Sequence, residues 1–274
     1  AGQVLLGVGF PTLVPLGSHA VIEVGNVDGV RLAGPFLLQA GTQPTKSLLQ
    51  WGDGSHGGDP TNPGIMYDIF ARVGGPDWVA VQAESMVRID SGHTILDNAW
   101  LWRADHTVAG LVRESANPCS HGLVVTGSDV LAYGLAVEHT LQDLTLWLGE
   151  RGATYFYQSE LPYDVTQANF GDLGYVGYRV NATVTQHEAY AVGVYHYFRD
   201  YPVTVKSGIS AAPGVLSHGF TAPLVVYLNG LGTVQSVLSD GRGSATGPGI
   251  AGVSYVCGNS SNDHDEVNWD LVLQ

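Results

Sequence analysis

The chain has 274 residues, with 11 Lys and Arg against 25 Asp and Glu, so it carries a net charge of −14. Only 13% of residues are charged while 45% are apolar, the reverse of a disordered composition. A surface this acidic excludes a protein that tracks nucleic-acid phosphates, and no run reaches the roughly 18 apolar residues of a membrane span.

Two cysteines, Cys119 and Cys257, are too few for a metal cluster or a disulfide framework. A single bridge and two separate thiols stay equally open. No cofactor or metal motif is present. The stretch Gly247-Pro-Gly-Ile-Ala-Gly252 matches a dinucleotide fingerprint in letters only, because it follows a Gly/Ser-rich loop and leads into no helix. Ala1 is followed by no charged region and apolar core of the signal-peptide kind. Two glycosylation triplets, at Asn181 and Asn259, join the low Lys content and a pI of 4.8 in pointing to an extracellular protein.

Helical periodicity is nearly absent, apart from a short polar turn at 169–173. Short β-branched and aromatic runs bounded by Gly, Asn and Asp predict strands instead. In chain order these fall at 20–24, 30–32, 47–51, 66–73, 85–89, 94–96, 100–102, 122–126, 130–133, 144–148, 154–157, 177–180 and 224–228. Residues 239–252 are Gly/Ser-rich and predict a flexible loop, and 263–266 form an acidic patch read as a solvated face.

The strands recur in one frame: an apolar strand, a Gly or Asn corner, then a second strand. Gly127 and Gly149 are 22 residues apart, a spacing suited to one coil of a solenoid. A corner requiring positive φ explains the recurring Gly or Asn. The frame predicts an all-β, single-stranded parallel β-helix forming one domain over 1–274. An antiparallel sandwich is the competitor, supported locally by a hairpin signal at Asn229-Gly230. The opening Val4-Leu-Leu-Gly-Val-Gly-Phe10 reads as mid-solenoid, with no polar segment to cap the first coil.

Placing Gly127 over Gly149 sets Tyr133 over Tyr155, Leu135 over Tyr157 and Glu138 over Glu160. Neighbouring coils lie about 4.8 Å apart. Two carboxylates at that range raise one pKa, and an apolar surround raises it further. A protonated carboxyl beside an ionised one suits acid-assisted cleavage of a glycosidic bond. Trp100, Trp102, Trp147, Tyr155, Tyr157 and Tyr163 crowd the same stretch, and sugar rings stack on such faces. Pro162 restricts Leu161 to extended geometry and turns the chain out of the coil just after Glu160.

Val137-Glu-His139, followed by Tyr157-Gln-Ser-Glu-Leu-Pro-Tyr163, resembles the C-terminal β-helix of glycoside hydrolase family 55, the β-1,3-glucanases. The segments Ala99-Trp-Leu-Trp-Arg-Ala-Asp-His106 and Thr185-Gln-His-Glu-Ala-Tyr190 look still closer to secreted β-helix proteins related to those glucanases. The resemblance spans residues 5–241. It implies a right-handed, pectate-lyase-like solenoid, an inverting mechanism with Glu160 as general acid, and a cleft built between two β-helices of which this chain holds the second. An inverting pair sits roughly 6.5–9.5 Å apart, beyond the reach of adjacent coils. The base is therefore open among Glu138, Asp105 and Glu188.

Two functions follow as expectations. The first is an extracellular, carbohydrate-active protein acting on a β-glucan-type polysaccharide. Glu160 and Glu138 carry the chemistry, and Trp102, Tyr157, Tyr163 and His139 hold the sugar. The second is a non-catalytic, glycosylated structural subunit of an extracellular filament or cell-surface assembly, formed by self-association or a second chain at the uncapped end.

Overall fold

The computed structural model describes residues 1–76 and 79–257. Asn259 and the acidic patch at 263–266 lie outside them. Two parallel sheets run along the molecule. The first contains Ile22–Val24, Thr45–Trp51, Ala83–Ile89, Cys119–Val125, Thr145–Trp147, Tyr178–Val180 and Ile209–Ser210. The second contains Val4–Leu6, Arg31–Ala33, Gly64–Val73, Thr94–Arg103, Leu131–Glu138, Gly152–Glu160, His187–His196 and Leu224–Tyr227.

The chain visits one sheet and then the other, and each strand pairs in parallel with the strand one coil away. This is a parallel β-helix. No helix among the described residues is long and apolar enough to cross a membrane.

The core consists of columns of inward side chains, one from each coil. Leu49, Val87, Leu123, Thr145, Tyr178 and Ile209 form one such column, and Ile69, Ala99, Leu135, Tyr157 and Val192 another. All of them are buried. Strand alternation accounts for this, since residues two apart share a face and the β-branched ones fill it.

The expected register is the observed one: Tyr133 pairs with Tyr155, Leu135 with Tyr157 and Glu138 with Glu160. The corner glycines serve a different purpose from the one expected. A Cβ on Gly149 would sit 1.9 Å from the Gly127 carbonyl oxygen, and one on Gly127 would sit 2.2 Å from that of Ser91. Close backbone approach, rather than positive φ, fixes glycine at both positions.

Positive φ occurs at another corner. Asp68, Asn98, Gly134, Phe156, Ala191 and Ala222, one per coil, all have φ between 52° and 65°. This left-handed residue bends each long strand of the second sheet. It explains why the separate strands expected at 94–96 and 100–102 are one bent strand, Thr94–Arg103.

Other expectations need correction. Asn229-Gly230 closes no hairpin: Leu224–Tyr227 pairs with His187–His196, and Thr233–Val234 pairs with Thr204–Val205 in parallel. In a solenoid the coil before supplies the partner of a strand; at this last coil Leu224–Tyr227 also pairs antiparallel with Val253–Tyr255, not with the run that follows Asn229-Gly230. The segment 239–252 is anchored to the coils beside it. Its Thr246 is buried, bridges Val234 and bonds His196 at 2.8 Å. The helical turn falls at Gln167–Gly171, capped by the Thr166 side chain. Cys119 is buried and Cys257 exposed, and neither is in a disulfide. At the amino end, Val4–Leu6 pairs only with Arg31–Ala33, and Val4 is 67% exposed, so no described segment covers the first coil.

Candidate active site

The site lies on the outer face of the second sheet, on the stretch that follows the left-handed corner. Beyond that corner, residues 157 and 159 point inward and 158 and 160 outward. Parallel register then lines up one outer column, Trp102, Glu138, Glu160 and Tyr195, with consecutive members on adjacent coils. Trp100 lies two residues before Trp102 on the same face and is 43% exposed. The two indoles stack with centroids 5.7 Å apart and planes 26° from parallel.

The strand ends at Glu160, and the turn that follows Pro162 brings Tyr163 to the site. The Tyr163 hydroxyl donates to the Glu160 carboxylate, and Gln158 Nε2 donates to it at 3.5 Å. The Tyr163 ring packs 4.2 Å from that of His139, edge-on to Tyr197 at 5.0 Å, and under the Arg199 guanidinium at 5.9 Å. Asp105, on the segment after Thr94–Arg103, bonds His106 Nδ1 at 2.9 Å, and the His106 ring lies 5.4 Å from Trp102. Glu138 thus lies within electrostatic reach of two further carboxylates, Glu160 and Asp105.

That crowding has the expected electrical consequence. Burial pushes the Glu138 carboxyl up to about 7. The Trp100 indole N–H donates to it and opposes the shift, while the negative charges of Glu160 and Asp105 add to it. Burial, its bond to Glu160 and nearby negative charge likewise raise the Tyr163 phenol, so it stays a donor. His139 is pushed down to about 4 by burial, so it is neutral at ordinary pH.

The residues expected to hold sugar divide. Trp102 and Tyr163 stand beside the carboxylates. Tyr157 does not: it is 1% exposed, and its hydroxyl donates to the Gly177 carbonyl at 2.7 Å inside the solenoid. Three positions before Glu160 on an alternating strand, it points to the opposite face, so it cannot offer a ring to a substrate. His139, 2% exposed, also lies inside, where its backbone N–H donates to the Glu160 carbonyl at 2.8 Å. It supports Tyr163 from behind, its ring against that of Tyr163. Glu188 accepts from Tyr190 at 3.0 Å and pairs with Ala153, on the far side of the corner from Glu160.

Asn181 lies in a turn after Tyr178–Val180, where its side-chain oxygen accepts from Thr183 at 2.9 and 3.0 Å. Sequence reasoning missed Arg103, Asp164 and Arg199, which brace the site. A charged residue at an inward strand position, as Arg103 is, was the available signal. Among the described residues no group of His, Cys, Asp and Glu could hold a metal.

The fold and this acid-and-aromatic face together define the class, a pectate-lyase-like parallel β-helix. A profile of the LAM55 pectate lyase-like domain matches residues 1–160, and the chain belongs to that family. It is 39% identical over 248 residues to an exo-beta-1,3-glucanase of Streptomyces sp. (strain SirexAA-E / ActE), over 88% of this chain and 40% of the relative. It also superposes on the structure of sacteLam55A from Streptomyces sp. SirexAA-E with a TM-score of 0.85 at 35% identity, covering 94% of this chain and 47% of that one. A glutamate-to-alanine variant of sacteLam55A in complex with glucose matches with the same TM-score. The chain spans less than half the length of these relatives.

Proposed function

We propose that this chain is a β-helical part of an extracellular glycoside hydrolase that cleaves β-1,3-glucan. The observation that carries the reading is the Glu138–Glu160 pair, in register on adjacent coils beside Trp100, Trp102 and Tyr163. The exo-beta-1,3-glucanase relative supports the substrate class, and an extracellular location suits a polymeric glucan.

Below about pH 7 Glu138 holds a proton next to Glu160. Two interacting carboxyls titrate as a pair, so the proton can pass to whichever one faces the leaving oxygen. Glu160 is the better placed, since the Tyr163 hydroxyl donates to it and orients it. In this reading Glu160 donates the proton to the glycosidic oxygen and Glu138 acts as its proton store. The two stand side by side on one sheet face, whereas an inverting base must work from the other side of the sugar ring. The base is therefore assigned to another element, with Asp105, on the segment after Thr94–Arg103 and within electrostatic reach of Glu138, as the candidate.

The raised pKa of Glu138 favours a second reading, in which Glu138 is itself the acid. Laminarin-type β-1,3-glucan and an aryl β-glucoside with a good leaving group separate the two. Loss of the general acid slows glucan cleavage by about 10²- to 10⁴-fold but spares the activated substrate. Glu160→Gln is expected to show that split. If Glu138→Gln shows it instead, the roles are reversed. No release of reducing ends by the unmodified protein, with elution as a large assembly, would replace both readings with a structural β-helix.

A further inference from the structure

Arg103 is wholly buried, and every hydrogen bond it makes ends on a segment that also carries a site residue or on the loop beside them. Its Nη1 donates to Asp164 Oδ1 at 3.0 Å and its Nη2 to Asp164 Oδ2 at 2.9 Å, a two-pronged pair with both side chains out of solvent. Nη1 also donates to the His139 carbonyl at 3.1 Å. Nη2 and Nε donate to the Ala116 carbonyl at 2.6 and 3.2 Å, and Nε to that of Asn117 at 3.2 Å. Asp164 Oδ2 in turn accepts from the Ser115 N–H at 2.9 Å.

The sequence positions give this network its meaning. Arg103 directly follows Trp102, His139 directly follows Glu138, and Asp164 directly follows Tyr163. Alternation turns Arg103 inward behind the outward Trp102, and His139 and Asp164 lie beyond the strands that end at Glu138 and Glu160, so one guanidinium ties the residues that follow three site residues. The rigid, planar fork of arginine suits this task, because it fixes direction as well as distance.

We propose that the Arg103–Asp164 pair is the clamp that positions Trp102, Glu138 and Tyr163 around Glu160. Both are positioning residues and touch no substrate. The inference deepens the glucan-cleaving reading and rests on it. Besides Asp164, the titratable groups facing Arg103 are His139, which is neutral, and Cys119, whose thiol burial pushes up to about 12. Neither competes for its charge.

The test uses the full chain and two variants that keep every charge. Arg103→Lys loses the fork, and Asp164→Glu lengthens the arm by one methylene. Folding is checked by circular dichroism, kcat and KM are measured on laminarin-type glucan, and the Glu138 carboxyl is titrated by carbon-13 NMR. We expect folded variants whose kcat falls by about 10- to 100-fold, because misplacing a reacting group by about 1 Å costs up to about 100-fold. KM should change little, and the Glu138 midpoint should move away from about 7.

A folded variant with unchanged kcat and an unmoved midpoint overturns the clamp. If Arg103→Lys does not fold, Asp164→Glu decides. If neither folds, the pair is a requirement of the fold and the proposal fails. If the unmodified protein cleaves no glucan, the functional reading fails, while the Glu138 midpoint still tests the clamp.

Discussion

The strands Leu131–Glu138, Gly152–Glu160 and His187–His196 each present two outer columns, separated by the left-handed corner. Before the corner stand Tyr133, Tyr155 and Tyr190, whose rings stack at 5.0 and 5.1 Å with planes within 10°. After it stand Glu138, Glu160 and Tyr195. The same backbone repeat therefore carries a column of like aromatics, which attract, and a column with two adjacent carboxylates, which repel. The tyrosines cover one another's faces and leave mainly edges to solvent, so the ladder stabilises the stack and offers little to a sugar. The carboxylates oppose folding unless one holds a proton. A repeat that accepts such a cost in one column, when an aromatic column is available beside it, supports the proposal that this column is the working one.

The sharpest way to break the comparison is to move from the outer columns to the inner one. Tyr157→Ala empties a buried position and removes the hydroxyl that joins Gly177 and Thr145 at 2.7 and 3.0 Å. It is expected to cost about 4 kcal/mol in urea unfolding, the range for large aromatic core deletions. A loss below about 1 kcal/mol, with weaker glucan binding, would restore Tyr157 to the sugar platform.

Tyr157 also shows where the sequence was legible and where it was not. The 22-residue offset between Gly127 and Gly149 was enough to set the coil register, because each coil must bury the same inward columns. It thereby brought Glu138 beside Glu160. Facing was harder. The corner at Phe156 leaves Tyr155 outward and turns Tyr157 inward, so simple alternation assigned both rings to one face. Nothing in the local pattern signals that corner, because five different residue types occupy it across six coils. Arg103 and Asp164 were hidden for another reason: 61 residues separate them, and only the stacking of coils brings them together.

The next effect is electrostatic. Burial holds the Glu138 carboxyl up at about 7 in the folded chain, well above the ordinary glutamate range near 4.5. The folded state therefore binds the proton more tightly than the unfolded one, and stability falls as pH rises from about 4.5 to 7. Above that window the deficit is on the order of 3 kcal/mol. Glu138→Gln should accordingly melt higher than the unmodified protein at pH 8, and the difference should vanish near pH 4. A gain that persists at pH 4 would mean the carboxylate pair is not its source.

The ladder should respond less. Tyr155→Ala removes two stacked contacts, each worth about 0.5–1.5 kcal/mol, from a half-exposed position. Its cost should lie near 2 kcal/mol and be the same at pH 4 and pH 8, in contrast to the Glu138 change. A pH-dependent loss would tie the two columns together across the corner.

The smallest effect belongs to the corner itself. Phe156 holds φ at 65° and is 64% exposed, whereas Gly134 occupies the same corner one coil earlier at φ 59°. A bulky residue there costs roughly 1–2 kcal/mol in backbone strain that glycine avoids. The extra freedom of glycine in the unfolded chain takes back about 0.5–1 kcal/mol. Phe156→Gly is therefore expected to raise stability by about 0.5 kcal/mol, and Phe156→Asn to do nearly as well, as Asn98 does two coils earlier. A clear loss instead, on the scale of a buried aromatic, would show that the exposed ring packs against something beyond the described residues and that the strain is retained for that contact.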